Sequence, residues 1–337
     1  MQNLENNFSF SEENIQNAIN AAYYEAVIGK NIKKSHKCCI FLGGQPGSGK
    51  STMIGVIDPS DEYIHVDLDE YRQYHPYYDE ICERYQEKSQ EYTNQFAYYV
   101  KQGMIQKLSG EGYNFIIDGT LRDANGQIET AMDLQKKGYS LQVDVICTKP
   151  EISSVRTDLR YEAQMNDYIL NDRKLFPRAV GDDYHDMVCN QLPDSLDKLQ
   201  NSQIAPGKPL FDKITFHHSD HRKPVVTKYG GISAKQYLKA FYDSSFSDKE
   251  LFDFHDSVNK TISLKQNRNA SDLSDFIQKR QLLEKRIAHK SEISKEAPSS
   301  PDTTTYTSAY QHTLDEFSDL DLVDDDTADF DYDFELE

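Results

Sequence analysis

The 337-residue sequence has no dense cluster of lysine and arginine. Its formal net charge is −19, and 13 of its 56 acidic residues lie at positions 302–337, where no lysine or arginine occurs. Without that segment the net charge of the chain is only −6. Proteins that bind DNA or RNA through the phosphate backbone need a concentrated basic surface. We therefore expect that nucleic acid is not a main partner.

Cysteine is scarce and scattered. The five cysteines are odd in number and lie mostly within apolar runs, and the sequence contains no CxxC pair or Cys/His cluster. This usage is typical of buried thiols in a reducing compartment and argues against a disulfide framework or a zinc site. The cysteines are Cys38, Cys39, Cys82, Cys147 and Cys189.

Long apolar segments are also missing. No stretch approaches the roughly 20 apolar residues that a membrane-spanning helix requires. Residues 1–7 are polar and acidic and lack the apolar region of a signal peptide. We expect a cytoplasmic protein without a membrane partner.

Short apolar runs alternate with helical patterns over the first 150 residues. Four runs have the length and composition of strands that are buried on both faces, at 38–42, 63–66, 113–117 and 141–147. Helical patterns lie between them, at 51–57, 79–108 and 128–137. The alternation predicts an α/β fold with a parallel sheet flanked by helices. An amphipathic helix at 9–29, with Ser9 and Glu12 as a capping box, is predicted before the first strand.

The pattern changes after Pro150. Helices are predicted at 151–172 and 184–192, and two β-rich runs at 213–217 and 225–229 predict an antiparallel ribbon at the edge of the sheet. A weak apolar stripe at 270–295 indicates a charged helix. From residue 298 the composition of Pro, Ser, Thr and Asp is typical of disorder.

The segment from Gly44 to Ser51 matches the phosphate-loop pattern G-x-x-x-x-G-K-[ST], directly after a predicted strand and before a predicted helix. Glycines in this loop let backbone N–H groups converge on the β-phosphate of ATP. Lys50 should reach the β- and γ-phosphates, and the hydroxyl group of Ser51 should ligate Mg²⁺. The predicted nucleotide-binding residues are Gly44, Gln45, Pro46, Gly47, Ser48, Gly49, Lys50, Ser51 and Thr52.

Carboxylates follow the second and third predicted strands, where parallel sheets place their ligands. Asp67 and Asp69 point to the same side of an extended segment, and either could accept a proton from an attacking hydroxyl or cap the next turn. Asp118, Thr120 and Arg122 could hold the hydroxyls or phosphates of a substrate, or form an ordinary Asp-Gly turn.

Four arginines lie on and after the predicted helix at 151–172. Phosphoryl transfer needs positive charge around the moving group, and arginines on a mobile segment could close over it. A solvated helix face is the alternative explanation. These residues are Arg156, Arg160, Arg173 and Arg178.

Taken in order, these motifs resemble those of zeta-toxin-type kinases from about residue 8 to residue 229. The resemblance rests on the phosphate loop, Asp-x-Asp-x-Tyr-Arg-x-x-His-Pro at 67–76, Asp-Gly-Thr-x-Arg at 118–122, Arg-Tyr-Glu at 160–162 and Arg-Ala at 178–179. The chain departs from the family pattern at Asp118, where Glu is usual, and at Leu121, where a small residue is usual. Both departures fall in the substrate motif.

The resemblance implies a kinase that uses ATP to phosphorylate a sugar hydroxyl of UDP-N-acetylglucosamine, which blocks peptidoglycan synthesis, and that is held in check by a small antitoxin. It implies Asp69 as the general base, Lys50 and Ser51 as the ATP and Mg²⁺ residues, and Arg160 and Arg178 as stabilisers of the transferring group. The group that holds the sugar nucleotide would be Asp118, Thr120 and Arg122.

The predicted organisation is a kinase domain at 1–235, a helical extension at 236–297 and a disordered acidic tail at 298–337. Two other functions are compatible with the sequence. The acceptor could be NAD or another small hydroxyl compound, or the chain could be a nucleotide-dependent interaction module whose tail engages a partner. The tail could equally be a solubilising segment or cover the cleft.

Overall fold

The computed structural model describes residues 8–33, 35–170, 177–219 and 223–296. Within them the strands are β1 Cys38–Gly43, β2 Ile64–Val66, β3 Phe115–Asp118, β4 Ser140–Cys147, β5 Gln203–Ala205, β6 Lys208–Pro209, β7 Lys213–His218 and β8 Val225–Thr227. The α-helices are α1 Glu12–Ala26, α2 Lys50–Ile57, α3 Tyr78–Tyr85, α4 Ser89–Glu111, α5 Ala124–Lys136, α6 Pro150–Leu170, α7 Asp182–Asn201, α8 Ala234–Asp243, α9 Asp248–Asn267 and α10 Leu273–Glu296. Arg173 and the tail at 298–337 lie outside the described residues.

The main sheet has the strand order β2-β3-β1-β4-β7-β8. All neighbouring pairs are parallel except β7 and β8, which pair antiparallel at the edge and so confirm the predicted ribbon. Leu42 near the end of β1 is in register with Asp118 on one side and Asp144 on the other. Strands β3 and β4 lie on opposite sides of β1. In parallel sheets, a crevice for a ligand forms at the carboxyl end of such a central strand.

The sheet is covered on both faces because its strands alternate between two cores. Cys39, Phe41 and Phe115 point into the larger core, which α1, α4, α5, α7 and α8 close. Cys38, Ile40 and their neighbours form a smaller core with Met53 of α2. A third cluster joins α6 to α9 and α10 through Ile152, Val155, Phe254, Val258, Phe276, Leu283 and Ile287.

Several helix boundaries differ from the predictions, including that of α5, which begins at Ala124 rather than at residue 128. Helix α1 begins at Glu12, and its capping box is formed by Ser11 and Asn14 rather than by Ser9 and Glu12, because the Asn14 side chain accepts from the Ser11 N–H at 2.9 Å. Helix α7 does not end at residue 192 but continues through Pro193 to Asn201. The buried stripe of Leu192, Leu196 and Leu199 packs this continuation onto the core.

Both sheets belong to one compact unit, which ends at Ser291. The predicted division between a kinase domain at 1–235 and an extension at 236–297 stays a prediction. Among the described residues, no helix has the length and apolarity to cross a membrane.

Candidate active site

The loop between β1 and α2 has a shape that only glycine permits at several positions. Gly44, Gly47 and Gly49 have φ values of 147°, 76° and 93°. A Cβ atom on Gly47 would lie 2.1 Å from the carbonyl oxygen of Ser153, so no side chain fits there. Gly49 is the N-cap of α2, and the loop therefore turns its backbone towards a helix N-terminus, where an anion is favoured.

The Gln45 side chain is fully buried and connects this loop to the protein interior through hydrogen bonds. Its Nε2 donates to the carbonyl oxygen of Thr148 and to Ser153 Oγ, and its Oε1 accepts from the Tyr242 hydroxyl at 3.0 Å. Thr148 Oγ1 also donates to the carbonyl oxygen of Ser48 at 2.8 Å. The loop is thus attached to the start of α6 and to α8, and the Gln45 side chain acts as an anchor inside the protein.

Lys50, Ser51 and Thr52 open helix α2. Lys50 Nζ donates to the carbonyl oxygen of Gly44 at 3.1 Å, which keeps the ammonium group beside the loop. Ser51 and Thr52 are exposed in the first turn. An exposed hydroxyl at Ser51 beside a glycine cradle fits a Mg²⁺ ion that is held together with a nucleotide.

The structure separates the roles of the two aspartates that follow β2. Asp67 Oδ1 accepts from the Asp69 N–H at 2.9 Å and caps the short 3₁₀ helix Leu68–Tyr74. Asp69 lies between two guanidinium groups: its Oδ1 accepts from Arg72 Nε at 2.9 Å, and its Oδ2 is 2.5 Å from Arg178 Nη1. Its side chain is 39% exposed, so it is still accessible from the crevice.

Electrostatics also distinguish these carboxylates. Burial opposes the ionisation of Asp69, but Arg178 and Arg72 outweigh it and lower the pKa of this group. Burial raises the pKa of Asp67, and the nearby charge of Asp118 adds to the effect. Asp69 is therefore the carboxylate whose charged form the surrounding structure favours.

Asp118, at the end of β3, is buried and has two neighbours that sequence reasoning missed. His65 Nε2 lies 3.5 Å from Asp118 Oδ2, and Lys101 Nζ donates to the Asp118 carbonyl oxygen at 2.7 Å. Burial opposes protonation of His65, but Asp118, Asp67 and Glu70 outweigh it and raise its pKa. Burial lowers the pKa of Lys101, while Asp118, Asp67 and Asp69 oppose the shift. The one sequence signal for Lys101 is a lysine within an otherwise apolar helical stripe.

Leu121 and Arg122 lie on a strained turn after β3. Leu121 has a φ of 54° and is almost fully buried, which is a rare conformation for a bulky residue. It fills the space beside Gly43, where a Cβ atom would lie 2.1 Å from Leu121 Cδ1. The Arg122 guanidinium lies 5.5 Å from the ring centre of Tyr184. The backbone carbonyl oxygen of Arg122 accepts a hydrogen bond from Ser195 Oγ at 2.5 Å.

Thr120, half-buried, immediately precedes this turn. A cavity of about 360 Å³ lies between α4 and α5, close to the end of β3. Its lining is largely polar and charged. The lining includes Lys101, Gln102, Asp123, Gln127, Thr130 and Lys137.

The two arginines of the predicted transfer site lie close together. Arg178 contacts Asp69 as described, and Arg160 is exposed on α6. The pKa of Arg160 is lowered by partial desolvation and by the positive charge of Arg178, while Asp69 and Asp67 oppose the shift. The phosphate loop, Asp69, Arg160 and Arg178 thus belong to the same crevice.

Comparisons with known proteins point to a single family. A family model described as Zeta toxin matches residues 25–221. Toxin PezT of Streptococcus pneumoniae is 35% identical over 222 residues, which cover 65% of this chain and 83% of the relative. Toxin zeta of Streptococcus pyogenes is 27% identical over 284 residues, which cover 83% of this chain and 95% of the relative.

A solved structure supports the same comparison. It comes from a study of the PezAT chromosomal toxin-antitoxin system of Streptococcus pneumoniae and superposes with a TM-score of 0.66 at 29% identity. The match covers 76% of this chain and 98% of that chain.

Proposed function

The chain belongs to the zeta toxin family, whose members are ATP-dependent kinases, and we propose that it transfers the γ-phosphoryl group of ATP to a sugar hydroxyl of UDP-N-acetylglucosamine. The observation that supports this proposal is the convergence of the phosphate loop, Asp69 and two arginines at one end of the sheet. A nucleotide switch without an acceptor has no need of a carboxylate base beside two arginines.

In the proposed reaction, loop N–H groups and Lys50 bind the phosphates of ATP, and Ser51 would hold Mg²⁺, which neutralises phosphate charge. Asp69 accepts the proton of the attacking hydroxyl as its oxygen forms the new bond to the γ-phosphorus. The bond from that phosphorus to the bridging oxygen breaks, and ADP leaves. Arg160 and Arg178 neutralise the charge on the moving group.

The acceptor is proposed to bind at the end of β3, where Asp118, Thr120 and Arg122 follow one another. The cavity between α4 and α5 is lined by Ile117 and Asp123, which flank this motif in the sequence. Transfer to this acceptor would block peptidoglycan synthesis and account for toxicity. UDP-N-acetylglucosamine and ATP are metabolites of the cytoplasm, and we propose that compartment for the protein.

A second acceptor, NAD or another small hydroxyl compound, is favoured by one observation. Asp118 stands where the family usually has Glu, and its Oδ2 lies within 3.5 Å of His65. A shorter carboxylate that is paired with an imidazole offers different hydrogen bonds to a sugar nucleotide. The acceptor motif is therefore the place where this chain could differ from its relatives.

The test is to incubate the purified chain with ATP and Mg²⁺ and either UDP-N-acetylglucosamine, NAD or no acceptor, and to measure product masses. Lys50→Ala and Asp69→Asn serve as controls. One added phosphoryl group on UDP-N-acetylglucosamine, absent with both variants, supports the proposal. Modification of NAD alone would support the alternative acceptor, and ATP hydrolysis alone would favour the interaction module and its acidic tail.

We also propose a small antitoxin as a partner, because the solved relative comes from a toxin-antitoxin system. A toxic kinase should harm its host when expressed alone, and Lys50→Ala should abolish that harm. Continued toxicity of Lys50→Ala would remove ATP chemistry from the explanation.

A further inference from the structure

Arg156 lies beside the phosphate loop although it has no role in the proposed transfer step. Its Nη1 atom is 3.9 Å from the position that a Cβ atom would take on Gly49. Gly49 is the residue at which the loop ends and α2 begins. The guanidinium group of Arg156 therefore lies close to the end of the phosphate loop.

Asp253 of α9 holds this guanidinium group from the opposite side. Arg156 Nη2 lies 3.2 Å from Asp253 Oδ2, and Lys249 Nζ donates to Asp253 Oδ1 at 2.6 Å. Asp253 is mostly buried, with its side chain 13% exposed, whereas that of Arg156 is 25% exposed. Burial lowers the pKa of Arg156 and Asp253 opposes the shift, but a guanidinium remains charged at neutral pH. A carboxylate at one edge fixes the plane of the guanidinium and leaves its face available for stacking.

The position of Arg156 along α6 indicates which end of the nucleotide it faces. Arg160 is one turn further along the same helix face and lies near Asp69, at the end where the acceptor binds. Arg156 lies one turn back towards the start of α6, where Asp253 rather than Asp69 is the carboxylate that acts on its pKa. The nucleoside of ATP must extend away from the acceptor, since the γ-phosphate is the group that meets it.

We propose that Arg156 stacks against the purine ring of ATP and that Asp253 is a positioning residue that orients it. This assignment rests on the proposed ATP-dependent function. It also gives the C-terminal helix α9 a role in nucleotide binding, because Asp253 lies outside the segment that carries the family motifs. A purely structural ion pair between α6 and α9 would instead affect stability and leave nucleotide affinity unchanged.

The experiment compares ATP with inorganic tripolyphosphate, which has the phosphates but no base. Calorimetric titration of the full chain would give both affinities for the wild type, Arg156→Ala, Arg156→Lys and Asp253→Asn. Lys249→Ala, which removes the other partner of Asp253, and Arg280→Ala, which breaks an ion pair within α10, are the controls. Melting temperatures measured in parallel report structural damage.

We expect Arg156→Ala to weaken ATP binding about tenfold, the usual scale for one stacking contact with a charged group, and tripolyphosphate binding less than about twofold. Arg156→Lys should resemble Arg156→Ala because an ammonium group is not planar. Asp253→Asn retains Arg156 and should weaken ATP binding in the same direction, by a smaller factor. Both controls should match the wild type.

Unchanged ATP affinity in Arg156→Ala and Asp253→Asn, with a lower melting temperature, would overturn the proposal in favour of a structural pair. Equal losses for ATP and tripolyphosphate would also overturn it, since the contact would then be with phosphate. The measurement does not depend on an acceptor. A chain that binds ATP but phosphorylates none of the acceptors would thus refute the proposed function. The role of Arg156 would still be decided by the ATP affinities alone.

Discussion

At the scale of single residues, Asp69 combines two properties that a kinase base needs. It is ionised, because Arg178 and Arg72 outweigh the effect of burial and lower its pKa, and it is reachable from the crevice. Its partner Arg178 is also the proposed stabiliser of the moving phosphoryl group. Arg178 therefore helps to keep Asp69 ionised, and in the proposed reaction it would also neutralise the phosphoryl group.

The dependence of phosphorylation rate on pH should reveal this coupling. In the wild type, the rate should not fall on the acid side until the pH drops below the ordinary pKa of an aspartate, because Asp69 stays ionised above its lowered value. Arg178→Ala removes the strongest charge that lowers this pKa, so its acid limb should shift to higher pH. The measurement is kcat against pH from about pH 4 to pH 8 for both proteins.

The matched control for this profile is Arg122→Ala, because Arg122 belongs to the proposed acceptor group and does not contact Asp69. Its rate should fall without a shift of the acid limb. An unshifted limb in Arg178→Ala would mean that Asp69 is not the group that titrates. The same linkage makes the contribution of Asp69 to the free energy of unfolding fully present above its unfolded pKa and lost as the pH falls through its folded pKa.

Gly43 and Leu121 should behave as a coupled pair. Gly43→Ala places a methyl group 2.1 Å from Leu121 Cδ1 and should destabilise the protein by about 1–3 kcal/mol through overpacking. Leu121→Ala opens a cavity and should cost about 2–5 kcal/mol. In the double variant the new methyl group occupies vacated space, so the total should be less than the sum by about 0.5–3 kcal/mol. Urea unfolding of all four proteins measures this coupling.

Gly55→Ala is the control for that series. Gly55 lies in helix α2, and a Cβ atom there would meet nothing within 4 Å. We expect it to stabilise the protein by about 0.5–1 kcal/mol, because alanine loses less conformational entropy than glycine in a helix. Strictly additive costs for Gly43→Ala and Leu121→Ala would show that the two residues do not compete for the same space.

At the scale of elements, helix α8 contributes to the phosphate loop although it follows the loop by nearly 200 residues. The Tyr242 hydroxyl donates to Gln45 Oε1, and Lys149 Nζ donates to the carbonyl oxygens of Phe241 and Ser244 at 2.8 and 2.7 Å. Lys149 is buried at the start of α6, so it joins the C-terminus of α8 to the same region. The loop is thus fixed by both the helix that follows β4 and a helix of the C-terminal part.

Tyr242→Phe should weaken ATP binding as well as lower stability. It leaves a buried amide oxygen without this donor, at a cost of about 1–3 kcal/mol, and frees Gln45 to move beneath the loop. Tyr237→Phe on the same helix is the matched control, since the Tyr237 hydroxyl forms a hydrogen bond with His218 Nε2 at 2.8 Å. Both variants should lower the melting temperature, and only Tyr242→Phe should lower ATP affinity. An ATP affinity of Tyr242→Phe equal to that of the wild type would show that the bond from Tyr242 to Gln45 has no influence on the nucleotide site.

The phosphate loop and the residues around it also show how much of the site could be predicted from sequence. The phosphate loop and the strands around it could be predicted, because a window of about ten residues contains the glycines or the apolar run that identifies each of them. Tyr242, Asp253, Lys101 and His65 gain their roles only from partners that are distant in sequence or on a neighbouring strand. The choice between Asp67 and Asp69 as cap was open for the same reason: the cap depends on a turn whose geometry the pattern does not contain.

At the scale of the whole molecule, the C-terminal helices complete the core of the kinase fold. Ile152 and Val155 of α6 are buried by Phe254 and Val258 of α9 and by residues of α10. Glu162 of α6 is also buried and forms ion pairs with Lys265 and Arg268. Residues 236–291 therefore cover the helix that carries Arg156 and Arg160.

We expect a chain of residues 1–235 to fail as an independent kinase, whereas a chain of residues 1–297 should melt at the temperature of the full protein and bind ATP with the same affinity. The shorter chain exposes the apolar face of α6, leaves Glu162 without its cationic partners and removes the Tyr242 anchor of Gln45. The longer chain keeps every described contact. Circular dichroism, thermal melting and calorimetric titration with ATP would test both. A folded 1–235 chain that binds ATP normally would show that the C-terminal helices are a separable extension, and lost ATP binding in 1–297 would give residues 298–337 a direct role at the nucleotide site.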